Sequence, residues 1–145
     1  MRVLVQRVRS ASVRVNDKVI GEISNGLLAL VGITHTDTPE LVKYMADRCV
    51  KLRIFEDEAG KMNRSLLDVN GSMLIVSQFT LYGDTAKGRR PGFDAAAKPD
   101  VAIPLYEQFV EEVKAFGVGT ATGEFGAEML VTLENDGPVT FMLEK

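Results

Sequence analysis

The stretch Ser72-Met-Leu-Ile-Val-Ser-Gln-Phe-Thr-Leu81 decides how the rest of this sequence is interpreted. It is a run of apolar and β-favouring residues, which predicts a buried strand. Three hydrogen-bonding side chains, those of Ser77, Gln78 and Thr80, interrupt its second half. Because burying an unpaired hydroxyl or amide costs roughly 1–3 kcal/mol, these groups are either paired inside a sheet or open onto a pocket at the strand end. A second segment, Asn135-Asp-Gly-Pro-Val-Thr140, favours the pocket, and we expect the two segments to form its walls.

Composition sets limits on the class of protein. The chain has 145 residues, 46% of them apolar, and a formal net charge of −3, which predicts one domain over residues 1–145 with an ample core. The negative charge argues against purely electrostatic binding of nucleic acid, although a local basic patch remains compatible with it. A single cysteine allows no internal disulfide. With no recognisable signal peptide and no apolar run of about 20 residues, the sequence predicts a reduced, cytoplasmic protein without a membrane partner.

Strands dominate the predicted secondary structure. Alternating apolar residues predict strands from Met1 to Ile23, and Leu27–Ile33 reads as a strand buried on both faces. Asn70-Gly71 is a hairpin signal leading into the Ser72–Leu81 strand. Further strands are expected at Leu130–Leu133 and Val139–Leu143.

Two helices are expected between these strands. The first has Thr38 as its N-cap and Pro39 at its first position, and it should end near Phe55. The second should run from Ile103 to Phe116, and between them Gly83–Pro99 reads as a long loop. The predicted fold class is therefore α+β, with a mainly antiparallel, barrel-like sheet and two packed helices.

Thr80 is the first candidate for chemistry. A threonine hydroxyl needs a nearby base before it can attack a carbonyl, and His35 is the only histidine in the chain. His35 would have to lie within hydrogen-bonding reach of Thr80, whereas a surface-loop histidine is the commoner interpretation. Thr80 itself reads equally well as a structural threonine of a sheet.

Metal binding is not indicated by the remaining polar residues. Cys49 lies on the apolar stripe of the first predicted helix, so a buried thiol is favoured over a ligand. The acidic run Glu56–Glu58 favours a solvated turn over a cation site. We therefore expect no metal and no cofactor.

Three other features leave alternatives open. Lys87, Arg89 and Arg90 form the densest basic cluster, which suits a phosphate backbone or a solvated loop. Arg7 lies in the first strand, where it points either inward with partners or to solvent. The Gly137-Pro138 bond is either cis, which would place bare backbone at a pocket surface, or part of an ordinary turn.

The two motifs together resemble those of the D-aminoacyl-tRNA deacylases. The resemblance is carried by Ser77-Gln-Phe-Thr-Leu81 and Asn135-Asp-Gly-Pro-Val-Thr140. It extends over essentially the whole chain, through the opening Met-Arg-Val-Leu-Val-Gln-Arg-Val, the Lys-Gly-Arg-Arg-Pro loop and Phe125-Gly-Ala-Glu-Met129.

This resemblance implies a cytoplasmic homodimer that hydrolyses the ester between a D-amino acid, or mischarged glycine, and the 3′ end of tRNA. The family's Gly-Pro pair is cis and enters the partner's active site, where it excludes L-amino acids. The resemblance places Thr80 in the catalytic site, as nucleophile or orienting hydroxyl. It assigns the substrate pocket to Ser77, Gln78, Gly137, Pro138, Phe125, Met129 and Arg7. On physical grounds, main-chain N–H groups near Phe79 and Thr80 suit stabilisation of the oxyanion.

Two rival functions belong to other classes. One is a non-enzymatic RNA-binding module that uses the Lys87–Arg90 loop. It would need a broad basic and aromatic surface, which a chain of net charge −3 without tryptophan does not favour. The other is an acyl-transfer enzyme for small metabolites, which would act without tRNA.

Overall fold

The structure is a computed structural model that describes all residues, Met1–Lys145. It contains eight strands and two helices. The strands are β1 (Arg2–Val15), β2 (Lys18–Ile23), β3 (Gly26–Gly32), β4 (Phe55–Glu56), β5 (Met62–Arg64), β6 (Ser72–Ser77), β7 (Gly119–Thr122) and β8 (Leu130–Glu144), and the helices are α1 (Pro39–Lys51) and α2 (Pro99–Ala115).

The strand β1 is shared by three neighbours. One edge pairs with β3 along its first half and with β2 along its second half, and the other edge pairs with β8. At the far side of the sheet, a Cβ on Gly21 would lie 2.7 Å from the carbonyl oxygen of Thr122. This close approach of β2 to β7 requires glycine, and it curls the sheet into a nearly closed barrel.

The sheet is mixed, because β6 runs parallel to β3 and β7 runs parallel to β6. The other pairings are antiparallel, so the expected α+β class with a mainly antiparallel, barrel-like sheet is confirmed. The hairpin predicted at Asn70-Gly71 is wrong. Those residues close a turn in which the Gly71 N–H donates to Leu66 O (3.1 Å), and the chain then enters β6 beside β3. The short strand β7 was not anticipated.

The segment Ser72–Leu81 forms a strand only as far as Ser77, and Phe79–Tyr82 make a 3₁₀ turn. The predicted continuous strand is therefore too long. The chain folds back over Gly32, where a Cβ would lie 3.0 Å from the Leu81 Cβ and 3.1 Å from Gln78 O. A residue without a side chain at position 32 thus permits the turn that ends β6.

Both helices pack on one face of the sheet. The Leu41 N–H donates to Thr38 Oγ1 (3.2 Å), which confirms the predicted cap. However, α1 ends at Lys51 rather than near Phe55, because Leu52 is extended (ψ 126°) and leads towards β4. Helix α2 begins at Pro99, earlier than predicted, since proline is well suited to the first helical position.

The two faces of β3 show how the core is divided. Leu27, Ala29 and Val31 point into the main core beneath the helices, whereas Leu28 belongs to a smaller cluster inside the barrel with Leu74 and other residues. Side chains of a strand alternate between faces, so a strand buried on both faces must be apolar throughout. The prediction that this strand is doubly buried is confirmed.

Residues 130–144 form one strand rather than two. The register nevertheless shifts between the pairs Gln6–Thr140 and Val8–Asn135, so residues 136–139 of β8 face only Arg7 of β1. The Gly137-Pro138 pair lies in this bulge, since proline cannot donate to a ladder. Neither helix of the structure has the length and apolar character that crossing a bilayer would require.

Candidate active site

A cavity of about 250 Å³ opens at the carboxyl end of β6. Because β3 and β6 are parallel, their carboxyl ends meet at one edge of the sheet, and Val31 and Ser77 both face the cavity. Gln78 and Phe79 complete this wall. Ser77 and Gln78 therefore face a pocket, whereas Thr80, the third polar residue of the segment, is exposed and does not line it.

The polar groups of the wall are held by specific contacts. The Gln78 N–H donates to Val31 O (2.7 Å), which continues the sheet for one residue beyond the strand. The Gln78 side-chain amide donates to Thr80 Oγ1, so the threonine hydroxyl is oriented by its neighbour. Phe79 opens the 3₁₀ turn, where the first N–H groups have no partner within the turn.

His35 does not act on Thr80 in this structure. Its Nε2 lies 2.7 Å from the carbonyl oxygen of Asp94, and the Thr80 hydroxyl is contacted by Gln78 instead. The structure therefore supports the interpretation of His35 as a loop histidine, here a residue that ties two loops together.

The opposite wall of the cavity is apolar. Phe125 and Met129 line it, as the sequence predicted, together with Tyr106, Ala102 and Ala127. The Tyr106 hydroxyl donates to Ile75 O (2.9 Å), and burial raises the pKa of this phenol to about 12. Tyr106 was not singled out from the sequence, although a buried tyrosine hydroxyl needs a hydrogen-bond partner.

The Gly137-Pro138 peptide bond is cis. Both residues are exposed, and neither lines the cavity of its own chain. The Asn135 amide donates to Arg7 O (3.0 Å) and to Val139 O (3.1 Å), which ties the bulge to β1.

Arg7 points inward and is 6% exposed. Its Nη1 donates to Ile54 O (2.7 Å), and its Nε lies 3.0 Å from Asp136 Oδ2. The latter is an ion pair at contact distance without the alignment of a hydrogen bond. Arg7 therefore contacts the bulge beside Gly137 and does not line the cavity.

The segment Gly83–Pro99 is largely the loop that the sequence predicted. Lys87, Arg89 and Arg90 are exposed near its tip, and these three side chains form no ion pair within the chain. A charged cluster without internal partners is available to an external anion.

Two other predicted features have structural explanations. Cys49 is fully buried, and desolvation raises the pKa of its thiol to about 12. Asp57 accepts hydrogen bonds from the N–H groups of Lys61 (3.0 Å) and Ala59 (2.9 Å), which hold the pKa of its carboxyl below the usual range. The acidic run is thus a hydrogen-bonded turn between β4 and β5.

Known proteins are similar to this chain over nearly its whole length. A family model described as D-Tyr-tRNA(Tyr) deacylase matches residues 4–144. A D-aminoacyl-tRNA deacylase of an Exiguobacterium species is 60% identical over 145 residues, covering 100% of this chain and 99% of the relative. The D-aminoacyl-tRNA deacylase of Bacillus pumilus is 59% identical over 144 residues, covering 99% and 98%.

Solved structures are similar over the same length. One, titled c-Myc DNA Unwinding Element Binding Protein, has a TM-score of 0.93 and 39% identity, covering 100% of this chain and 99% of its own. A second, titled as a probable eukaryotic D-amino acid tRNA deacylase, has a TM-score of 0.86, covers 98% and 97%, and at 23% identity supports the fold alone. On the match of residues 4–144 and the full-length identity to its bacterial relatives, this chain belongs to the D-Tyr-tRNA(Tyr) deacylase family.

Proposed function

We propose that this protein is a cytoplasmic, single-domain hydrolase that removes D-amino acids, or mischarged glycine, from the 3′ end of tRNA. The observation that carries the proposal is the cavity at the end of β6, walled by Ser77, Gln78 and Phe79. It occurs in a chain 60% identical to a relative named D-aminoacyl-tRNA deacylase. The alternative of a non-enzymatic RNA-binding module has no comparable support.

Hydrolysis of an aminoacyl ester requires little assistance from side chains. An aminoacyl ester is activated, and its hydrolysis requires stabilisation of the oxyanion and an oriented water. We assign the first task to the Phe79 main-chain N–H, at the start of the 3₁₀ turn beside the cavity. Thr80 has a hydroxyl oriented by Gln78 but no base beside it, which supports an orienting role. The 2′-hydroxyl of the terminal adenosine would assist the attacking water.

Selection between enantiomers is assigned to Gly137 and Pro138 of a partner subunit. Two observations support this arrangement. The pair is exposed and lies away from the cavity of its own chain, and β8 presents exposed apolar side chains at Leu130, Phe141 and Met142. Exposed apolar side chains along this strand are compatible with burial against a second copy of the chain. Glycine at position 137 would leave room for the hydrogen of a substrate α-carbon but not for an L side chain.

Binding of the tRNA phosphate backbone is assigned to Lys87, Arg89 and Arg90. Their charges are exposed and unpaired within the chain, and guanidinium and ammonium groups are the usual contacts to phosphate. In a chain of net charge −3, a local cluster orients the nucleic acid without making the whole surface attractive to it.

The decisive experiment compares hydrolysis of D-tyrosyl-tRNA, L-tyrosyl-tRNA and glycyl-tRNA by the purified protein without added metal. We expect rapid release of D-tyrosine and glycine and little release of L-tyrosine. Equal rates for the two enantiomers, or complete loss of activity on chelation, would contradict the proposal.

A matched variant controls for contaminating hydrolases. Ala127 is half-buried in the cavity lining, so Ala127→Trp should fill the cavity and abolish hydrolysis while the protein remains folded. Activity on small D-aminoacyl esters but not on D-aminoacyl-tRNA would favour the small-metabolite enzyme instead.

A further inference from the structure

The rim of the cavity carries an exposed aromatic pair. Phe79 is 55% exposed and Phe93 is 39% exposed, and their rings meet edge-on with centroids 5.1 Å apart and planes at 65°. Phe79 also lines the cavity. Two exposed phenyl rings cost solvation free energy, so a pair at the mouth of a candidate active site calls for an explanation.

The pair is held in place on both sides. The Asp84 N–H donates to Gly92 O (2.7 Å) and the Gly92 N–H donates to Asp84 O (2.9 Å), which closes the loop immediately before Phe93. A Cβ on Gly83 would lie 3.2 Å from Phe93 Cε1. The Phe93 ring therefore packs directly over the turn that carries Phe79.

A second set of contacts fixes the chain after Phe93. Thr34 Oγ1 donates to Ala95 O (2.5 Å), and His35 Nε2 contacts Asp94 O. The Ala97 N–H donates to Ile33 O (2.9 Å). The rings are thus presented by anchored backbone, which keeps the entropic cost of binding low.

The surrounding charge indicates the class of ligand. Lys87, Arg89 and Arg90 lie in the segment closed by the Asp84–Gly92 pairing, just before Phe93. Proteins hold single-stranded nucleic acid with bases on exposed aromatic rings and phosphates on cations, and this loop carries unpaired cations within a few residues of Phe93 in sequence.

We propose that Phe79 and Phe93 form a stacking platform for an unpaired base of the tRNA acceptor end, the nucleotide that precedes the terminal adenosine. This inference rests on the proposed function, since the ester at the terminal adenosine must enter the cavity that Phe79 borders. The preceding nucleotide then lies over the rim, and its phosphates face the basic loop.

The test measures binding separately from hydrolysis. The probe is an uncharged RNA hairpin ending in single-stranded A-C-C-A, and the variants are Phe93→Leu, which keeps an apolar side chain on Phe79, and Phe93→Tyr, which keeps a ring. We expect Phe93→Leu to weaken binding at least about fivefold and Phe93→Tyr to stay within about twofold.

A second probe locates the base. When the nucleotide preceding the terminal adenosine is made abasic, wild-type binding should weaken and the difference between wild type and Phe93→Leu should disappear, as in a double-mutant cycle. Equal binding by wild type and Phe93→Leu, or an undiminished difference on the abasic probe, would overturn the platform. So would dissociation of a dimer by Phe93→Leu, seen by sedimentation, because the rings would then be covered by a partner subunit.

Failure of the platform remains distinguishable from failure of the proposed function. Wild-type protein is assayed on D-tyrosyl-adenosine, which has no preceding base, so hydrolysis there depends on the cavity alone. Hydrolysis with no effect of Phe93→Leu on hairpin binding rejects the platform and keeps the enzyme. If neither D-tyrosyl-adenosine nor D-tyrosyl-tRNA is hydrolysed but hairpin binding still depends on Phe93, the proposed platform is retained and the proposed enzyme activity is rejected.

Discussion

The two motif segments leave the sheet in different ways. The segment at Ser77–Tyr82 ends a strand, turns over Gly32 and faces the cavity of its own chain. The bulge at residues 136–139 interrupts the register between β8 and β1 while the strand continues, and its Gly137 and Pro138 face solvent. The first segment lines a pocket of its own chain. The second, residues 136–139, projects outward from the sheet, and we call it the projection; in the proposed dimer it would contact the partner subunit. This difference is the basis of the proposed shared site.

The most demanding test of this comparison mixes two inactive proteins. Ala127→Trp blocks the cavity and Gly137→Val alters the projection, so each variant alone should be inactive. If each site combines one cavity with the partner's projection, one of the two sites in every heterodimer is intact. Co-expression should then restore about a quarter of wild-type activity in a statistical mixture of dimers with two-fold symmetry.

Native mass spectrometry of the co-expressed sample verifies that heterodimers are present. Heterodimers without activity would contradict the shared site, as would full activity of Gly137→Val by itself.

The basic residues Lys87, Arg89 and Arg90 follow the first segment along the chain. Replacing Lys87, Arg89 and Arg90 by glutamine should weaken tRNA binding and reduce the slope of log affinity against log salt by roughly one unit per lost phosphate contact. A triple glutamine variant at Lys18, Lys43 and Lys61, which are exposed and unpaired, changes the net charge equally. An unchanged slope in the loop variant, or an equal change in the control, would show that the loop is merely solvated.

The projection is expected to depend on one partly buried ion pair. Asp136→Asn leaves the Arg7 side chain, which is 7% exposed, without its carboxylate partner. The loss in the free energy of unfolding should be about 2 kcal/mol, between the values for exposed and fully buried pairs. Urea denaturation measures it.

The control for that variant is Glu144→Gln. Its ion pair with Arg2 (3.1 Å) has side chains 55% and 32% exposed, so the loss there should stay below about 1 kcal/mol. Equal losses for the two variants would mean that Arg7 finds another partner.

The smallest expected effect concerns Thr80. Removing an orienting hydroxyl costs about the free energy of one hydrogen bond, so Thr80→Ala should lower kcat roughly tenfold, and Thr80→Ser should restore most of it. Mass spectrometry of a quenched reaction should show no acyl group on residue 80. An acylated Thr80 would instead establish a nucleophile.

The sequence predicts those features that depend on neighbours along the chain. Thr38 and Pro39 predict a helix start, and the unbroken apolar run at Leu27–Ile33 predicts a strand buried on both faces. The end of β6 at Ser77 was not predictable in the same way, because it depends on the missing side chain of Gly32, a residue distant along the chain. A local signal also misled at Asn70-Gly71, where a glycine turn leads into a parallel pairing.

The same distinction between local and tertiary determinants applies to the candidate site. Ser77, Gln78 and Phe125 were expected at the cavity from their motifs and are found there. The contact between Phe79 and Phe93 was not expected, because it joins a strand end to a loop without periodicity. Such contacts are set by tertiary anchoring at Thr34 and His35, which no local pattern reveals.

The sharing of β1 among three neighbours has a consequence for synthesis on the ribosome. Arg2 pairs with Glu144, and the whole of one β1 edge waits for β8. At about 5–20 residues per second, that partner emerges on the order of ten seconds after β1. Until then β1 presents an open edge, a recognised hazard for aggregation. Pairings so remote in sequence also slow the closing step of folding, so we expect the nascent chain to be most prone to aggregation before β8 has emerged.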